Sequence, residues 1–174
     1  LFGVSVLAGC SGTFKNKVNF NPNEPLRVAV LPFQALDSNG KPIDIESRLL
    51  IDNLSLLSSE QTESPVQIAR RQVLSELGKT DLDLVSSALI DIDLPHHGFG
   101  REDGSIDFAK LWAVSPKELC SKFINCDAVL YGRLLRWDRS YYGIQSVNTV
   151  ALELKLVSAK DGKILFESSG EDSE

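Results

Sequence analysis

The chain has 174 residues, a formal net charge of −6 and a pI near 5.0. An acidic chain without a basic stripe does not suit general nucleic-acid binding, which needs cationic side chains to displace counterions from phosphates. The sequence also lacks a run of about 18 apolar residues, the length that a membrane-spanning helix requires. The adjacent Arg70 and Arg71 are interpreted as part of a solvated helix or strand face.

The beginning of the chain is apolar and leads into Leu7-Ala8-Gly9-Cys10. Small residues before a cysteine are typical of a bacterial lipoprotein signal, in which a peptidase cuts before a cysteine whose thiol carries diacylglycerol. We therefore predict that residues 1–9 are part of a signal peptide and that Cys10 is lipidated. Acyl chains gain about 0.8 kcal/mol per buried CH₂, so they would hold the protein on a membrane surface. The alternative is a buried element in which Cys10 is an ordinary thiol.

Residues 10–24 are polar and contain four Asn, together with Gly12 and Pro22. They are predicted to be a flexible tether that leads into a single domain over 25–174. The nearly continuous apolar run from Leu26 to Phe33 predicts a central strand covered on both faces. Apolar residues at helical spacing then predict an amphipathic helix over Ile43–Ser59.

The middle of the chain gives weaker patterns. Val66–Ala69 is interpreted as a strand and Arg71–Leu77 as a helix, whereas residues 80–93 suit either. A loop is predicted over Pro95–Asp107. Ser115 is a candidate N-cap for a helix over Pro116–Ile124.

The end of the chain predicts a β meander. An apolar strand over Ala128–Gly132 continues to Trp137, and alternating residues from Val150 to Val157 form the next strand. The Asp161-Gly162 turn leads into a last strand at 164–166. The predicted fold class is therefore α/β, with a mixed sheet of strand–helix units followed by a C-terminal antiparallel meander, and with helices packed on the sheet.

Cys120 and Cys126 lie at the predicted end of a helix and the predicted start of a strand. Their Cα atoms could then be separated by more than the roughly 7 Å that a disulfide allows. We expect two small buried thiols rather than a disulfide, although an exported protein would meet oxidising conditions.

The densest group of reactive side chains surrounds the predicted loop over Pro95–Asp107. It consists of Asp91, Asp93, His96, His97, Arg101, Glu102, Asp103 and Asp107. The adjacent histidines lack the spacing that aims two imidazoles at one metal ion. We predict a solvated acidic loop with no metal, no cofactor and no catalytic residues, and hence a chain that is not an enzyme. The alternative is a small-ligand-binding or hydrolytic site around His96, His97 and Asp103.

Aromatic residues cluster at the end of the strand that begins at Ala128. Trp137, Tyr141 and Tyr142 lie beside Arg136 and Arg139. Trp, Tyr and Arg are common anchors of protein interfaces, so these aromatic residues are a candidate partner contact, with closure of the core as the alternative.

Several segments together resemble a known family. They are Cys10 with its preceding residues, Arg27–Phe33, Gly104–Leu119, Cys126–Gly132, Trp137, Tyr141–Ser146 and Asp161–Glu167. They resemble a family of bacterial outer-membrane lipoproteins of unknown function, which is similar to the periplasmic domain of the curli secretion-channel lipoprotein. The resemblance implies an outer-membrane anchor facing the periplasm, envelope protein partners or self-association, and a role in a secretion or cell-wall complex. Ser11 agrees with this placement, because an aspartate there would signal retention in the inner membrane.

Overall fold

A computed structural model describes residues 13–18, 25–37, 39–43, 64–142 and 145–173. The strands in these ranges are β1 (Thr13–Val18), β2 (Arg27–Val30), β3 (Gln34–Leu36), β4 (Pro42–Ile43), β5 (Asp83–Leu84), β6 (Ala128–Tyr142), β7 (Gln145–Ser158) and β8 (Ile164–Ser173). The helices are α1 (Pro65–Leu77), α2 (Ser87–Leu94), α3 (Phe108–Ala113) and α4 (Pro116–Glu118), and π-helical turns over Pro95–Phe99 and Leu119–Ile124 follow α2 and α4.

The strands form one mixed sheet with the order β1-β8-β7-β6-β2-β5, and β3 joins β6 and β4 beside it. β2 runs parallel to β6 and β5, whereas β6, β7 and β8 form an antiparallel meander. The predicted α/β class, with its C-terminal meander, is therefore confirmed. No helix of the described ranges is long and apolar enough to cross a bilayer.

The centre of the sheet is buried on both faces. Val28 and Val30 of β2 contribute to a core cluster that α1 covers. Ala29 contributes to a second cluster that α2, α3 and the π-helical turn over Leu119–Ile124 cover. Because alternate residues of β2 enter different apolar layers, this strand requires the continuous apolar run seen in the sequence.

The strand predicted over Val66–Ala69 is wrong, because these residues belong to α1. Ser64 caps this helix: its Oγ accepts the N–H of Gln67, and the Gln67 side chain accepts the N–H of Ser64. Pro65 occupies the first turn, where its missing N–H has no cost. This reciprocal pair of hydrogen bonds, a capping box, starts a helix despite the short alternation of apolar residues. The predicted helix over Arg71–Leu77 is confirmed.

Other predictions have mixed outcomes. The helix over Pro116–Ile124 and its Ser115 cap are confirmed, and the loop predicted from Pro95 instead begins with a π-helical turn. The helix predicted over Ile43–Ser59 lies outside the described residues, apart from Ile43, which ends β4.

Part of the predicted tether forms a strand. β1 pairs antiparallel with β8, from Thr13 opposite Glu171 to Val18 opposite Phe166. β8 would otherwise present an open row of backbone N–H and C=O groups, and β1 covers that edge. The rest of the tether, residues 10–12 and 19–24, lies outside the described residues.

Candidate functional site

A cleft of about 730 Å³ opens beyond the carboxyl end of β2. Its apolar lining includes Pro32, Phe33, Pro42, Ile43, Phe108 and Trp112, and its polar lining includes Gln34, Ser64, Arg70 and Arg101. In open α/β sheets, ligands bind in crevices outside the carboxyl ends of the strands. This cleft is therefore the candidate functional site.

Arg70 of α1 closes the inner side of the cleft. One guanidinium nitrogen, Nη1, donates to both carboxylate oxygens of Asp91 at 2.7 and 2.8 Å, and Nη2 donates to the carbonyl of Val30 at 2.7 Å. β5 pairs only with Arg27 and Val28, so the guanidinium takes the place of a strand neighbour beside Val30. The interpretation of Arg70 as a solvated residue is wrong, since only 9% of it is exposed. Asp91 balances its charge, and the pair joins α1 to α2.

Trp112 of α3 lies in a stack of aromatic and cationic groups beside the cleft. The Arg133 guanidinium carbon lies 4.2 Å from the centre of the indole ring, and the ring of Tyr131 meets the indole edge-on at 5.5 Å. Glu153 accepts a hydrogen bond from Arg133 at 3.4 Å. Burial raises the pKa of Tyr131 to about 12. The stack holds Trp112 in place before any partner arrives, which lowers the entropic cost of binding.

The stack was not predicted from the sequence. Tyr131 and Arg133 share one face of β6 through strand alternation, which is a local signal. Trp112 arrives from a separate helix, and no spacing in the sequence indicates that contact.

The described lining of the cleft is made of apolar side chains and hydrogen-bonding groups. Its described lining contains neither His nor Cys, and the Asp91 carboxylate is held by Arg70. The lining offers aromatic and aliphatic surface together with hydrogen-bonding groups, but it lacks a paired nucleophile and base.

The reactive groups around Pro95–Asp107 form local contacts instead of one site. His97 Nδ1 lies 2.8 Å from the carbonyl oxygen of Asp93, and its ring packs 5.2 Å from that of Phe123. The Asp103 carboxylate accepts hydrogen bonds from the Ser105 hydroxyl and N–H, which lower the pKa of Asp103. In the part of the chain that the structure describes, no three His, Cys, Asp or Glu side chains are grouped to hold a metal ion.

Asp107 has a structural role. Its Oδ1 accepts the N–H of Lys110 at 3.2 Å and so caps α3, and this hydrogen bond lowers the pKa of the Asp107 carboxyl. Arg101 and Ser105 lie on the rim of the cleft. The loop thus contributes lining residues to the cleft, whereas His96 is exposed to solvent and is not among the described lining.

Cys120 and Cys126 form a disulfide, so the expectation of two free thiols is wrong. Their Cα atoms are 4.6 Å apart. The π-helical turn after α4 ends at Asn125, which adopts a left-handed conformation (φ 56°, ψ 76°) and turns the chain back at once. Asn tolerates this conformation better than most residues do, and Asn125 is therefore the signal in the sequence for this turn. The disulfide suits an oxidising compartment.

The remaining predicted site residues are not among the described lining of the cleft. Trp137, Tyr141 and Tyr142 belong to β6, and their backbones are paired with Val150, Ser146 and Gln145 of β7 respectively. The structure does not describe their side chains, so their role as a partner contact stays a prediction. Cys10 lies outside the described residues, and its lipidation also stays a prediction.

The parallel strands at the centre of the sheet, the C-terminal antiparallel meander and the cleft beyond β2 define a mixed α/β domain. Residues 72–174, more than half of the chain, match the family described as "Putative lipoprotein GNA1162-like". The chain belongs to this GNA1162-like lipoprotein family, so the resemblance found in the sequence is confirmed.

Two relatives from Neisseria meningitidis agree with this assignment. The "Putative lipoprotein NMB1124/NMB1162" of serogroup B (strain ATCC BAA-335 / MC58) is 36% identical over 69 residues, which are 40% of this chain and 32% of that protein. The match thus spans about a third of that relative's length. The crystal structure of lipoprotein GNA1162 superposes with a TM-score of 0.53 at 20% identity, covering 85% of this chain and 84% of the other, and this likeness supports the fold.

A more distant structure is the PelC dodecamer from Paraburkholderia phytofirmans. It covers 94% of this chain and 82% of its own, with a TM-score of 0.47 and 14% identity.

Proposed function

We propose that this chain is a non-enzymatic lipoprotein of the bacterial envelope, anchored to the outer membrane through Cys10 with its α/β domain in the periplasm. There it acts as an accessory or assembly component of a secretion or cell-wall complex. Membership in the GNA1162-like lipoprotein family carries the proposal. The small residues before Cys10 and the Cys120–Cys126 disulfide support it, because both suit an exported protein.

The proposed activity is binding of protein partners at the cleft. Trp112 presents an ordered aromatic surface, and Arg133 and Tyr131 hold it in position. Aromatic residues and arginines of this kind dominate the energy of protein interfaces. The exposed Arg101 adds a cation at the rim.

The anchor is tested by comparing the wild type with Cys10→Ala after separation of envelope membranes. The wild type should fractionate with the outer membrane and carry diacylglycerol on Cys10 by mass spectrometry, whereas the variant should enter the soluble periplasmic fraction. An unmodified Cys10 in a membrane-bound protein would refute this anchor.

Partner binding is tested by crosslinking in intact cells, followed by affinity recovery and mass spectrometry. Trp112→Ala should lose envelope proteins that the wild type recovers. Lys117→Ala, on the exposed surface of α4, is the matched control and should recover them. Both variants must unfold at temperatures close to that of the wild type. If Trp112→Ala recovers the same proteins in equal amounts, the cleft is not the contact.

A further inference from the structure

The register of the sheet places one end of β1 beside the distal part of the β6–β7 hairpin. Thr13 pairs with Glu171, Glu171 pairs with Ala151, and Ala151 pairs with Arg136. These four residues form one row across β1, β8, β7 and β6. Since neighbouring strands lie about 4.8 Å apart, β1 and β6 are separated by roughly 14 Å in this row.

Cys10 is held close to that row by the chain itself. Two residues, Ser11 and Gly12, lie between it and Thr13, and the three Cα–Cα steps of an extended chain span at most about 11 Å. A lipid on Cys10 therefore enters the bilayer near the Thr13 end of β1. This step rests on the proposed lipidation of Cys10.

The distal hairpin has a composition unlike that of the whole chain. Trp137 is the residue of β6 that follows Arg136, and Tyr141 and Tyr142 are the last two residues of the same strand. The paired segments Arg136–Tyr142 and Gln145–Thr149 contain two Arg and one Asp, whereas the whole chain has a net charge of −6. Trp and Tyr favour the interface between water and membrane, and arginines near a membrane surface attract anionic lipid headgroups.

Both strands of the hairpin continue past the row of Thr13. β6 runs on beyond Leu134 and Arg136 to Tyr142, and β7 begins at Gln145. Eight further residues rise about 3.3 Å each, so β6 continues for roughly 26 Å past Leu134.

We propose that the distal hairpin, Arg136–Tyr142 with Gln145–Thr149, contacts the membrane surface beside the lipid anchor. Its partner is the headgroup region of a bilayer that contains anionic lipid. The α/β domain is then attached at two points, the lipid on Cys10 and the aromatic hairpin, so the bilayer restricts its orientation as well as its distance.

The two tryptophans of the chain provide an internal comparison. Lipidated protein with Trp112→Phe retains only Trp137, and lipidated protein with Trp137→Phe retains only Trp112. Each is inserted through its anchor into vesicles of phosphatidylethanolamine and phosphatidylglycerol, with or without acyl chains brominated near the headgroup. Bromine should at least halve the emission of Trp137 and leave that of Trp112 nearly unchanged. Thermal unfolding of both variants checks that they fold.

Each other outcome overturns the inference in a distinct way. If vesicle-bound protein shows unquenched Trp137, the anchor stands but the hairpin does not contact lipid. If a photocrosslinker at position 141 captures an envelope protein while Trp137 remains unquenched, the hairpin binds protein instead. If mass spectrometry finds no diacylglycerol on Cys10, the proposed anchor fails, and the inference fails with it.

Discussion

Asp127 and Arg27 exchange two hydrogen bonds at the start of the central parallel strands. Asp127 Oδ2 accepts the N–H of Arg27 at 2.9 Å, and the N–H of Asp127 donates to the carbonyl of Arg27 at 2.8 Å. The carbonyl of Asp127 in turn accepts the N–H of Ala159 at 2.8 Å. One residue therefore fixes the register of β2 and β6, which lie far apart in the sequence, and joins them to the turn after β7.

Replacing Asp127 with Ala should lower the free energy of unfolding by about 1–2 kcal/mol, because the Arg27 amide loses its side-chain acceptor. Asp127→Asn is the matched control, since its carbonyl oxygen can accept the same bond. Urea denaturation measures both variants. If Asn is as costly as Ala, the negative charge, and not the hydrogen bond, accounts for the role of Asp127.

Gly132 passes directly under the ring of Phe33, and a Cβ at this position would overlap three ring atoms. Since Phe33 is 3% exposed, its ring has little room to move. We expect Gly132→Ala to cost about 2–3 kcal/mol of unfolding free energy, in the range of overpacked cores. The double variant Gly132→Ala with Phe33→Leu should lose less than the sum of the single variants in denaturant titrations. Simple additivity would show that the two residues do not clash.

Arg70→Met should destabilise the protein by about 2–3 kcal/mol, because the carbonyl of Val30 loses a charged donor in a buried position. Asp91→Asn should cost less, about 1 kcal/mol, since water reaches a side chain that is 48% exposed. Lys117→Met, at an exposed position of α4, serves as the control. Equal losses from Arg70→Met and Lys117→Met in thermal unfolding would contradict the buried role of Arg70.

The double variant Cys120→Ala with Cys126→Ala should be about 2 kcal/mol less stable than the oxidised protein, as expected for a short closed loop. Reductant should lower the stability of the wild type and leave that of the double variant unchanged. Thiol titration of denatured, unreduced Cys10→Ala protein should find no reactive thiol. Two reactive thiols per chain in that titration would show that the disulfide does not form.

The stability of the protein should fall between about pH 10 and 12 through Tyr131. Its pKa is raised from 10.0 to about 12 because burial disfavours the phenolate. Below pH 10 the phenol is neutral in both states, and its contribution is fully present. As the pH rises, the unfolded chain loses this proton first, so unfolding becomes easier. Chemical denaturation across this range should show a smaller decline for Tyr131→Phe, and identical declines would contradict the raised pKa.

The sequence predicts the parts of this fold whose signals are local. The apolar run of β2, the alternation in β7 and the Ser115-Pro116 start of α4 each lie within a few residues. In contrast, β1 becomes a strand because β8 offers an edge, and that pairing joins distant parts of the chain.

The cleft is harder to predict for the same reason. Arg70 is buried because β5 is too short to reach Val30, and Trp112 meets Arg133 because α3 packs on β6. Neither contact leaves a periodic signal in the sequence. The disulfide depends on Asn125, whose left-handed conformation turns the chain back. The spacing of the two cysteines alone does not reveal this change of direction.

The pairing of β1 with β8 also sets an order of folding. Of the described strands, β1 is the first to be synthesised, and its partner is the last. A pairing so distant in sequence forms late, because the intervening chain must be ordered before its closure is favourable. β1 therefore stays unpaired until β8 has been synthesised. A chain stalled before β8 would expose the unpaired β1 to aggregation.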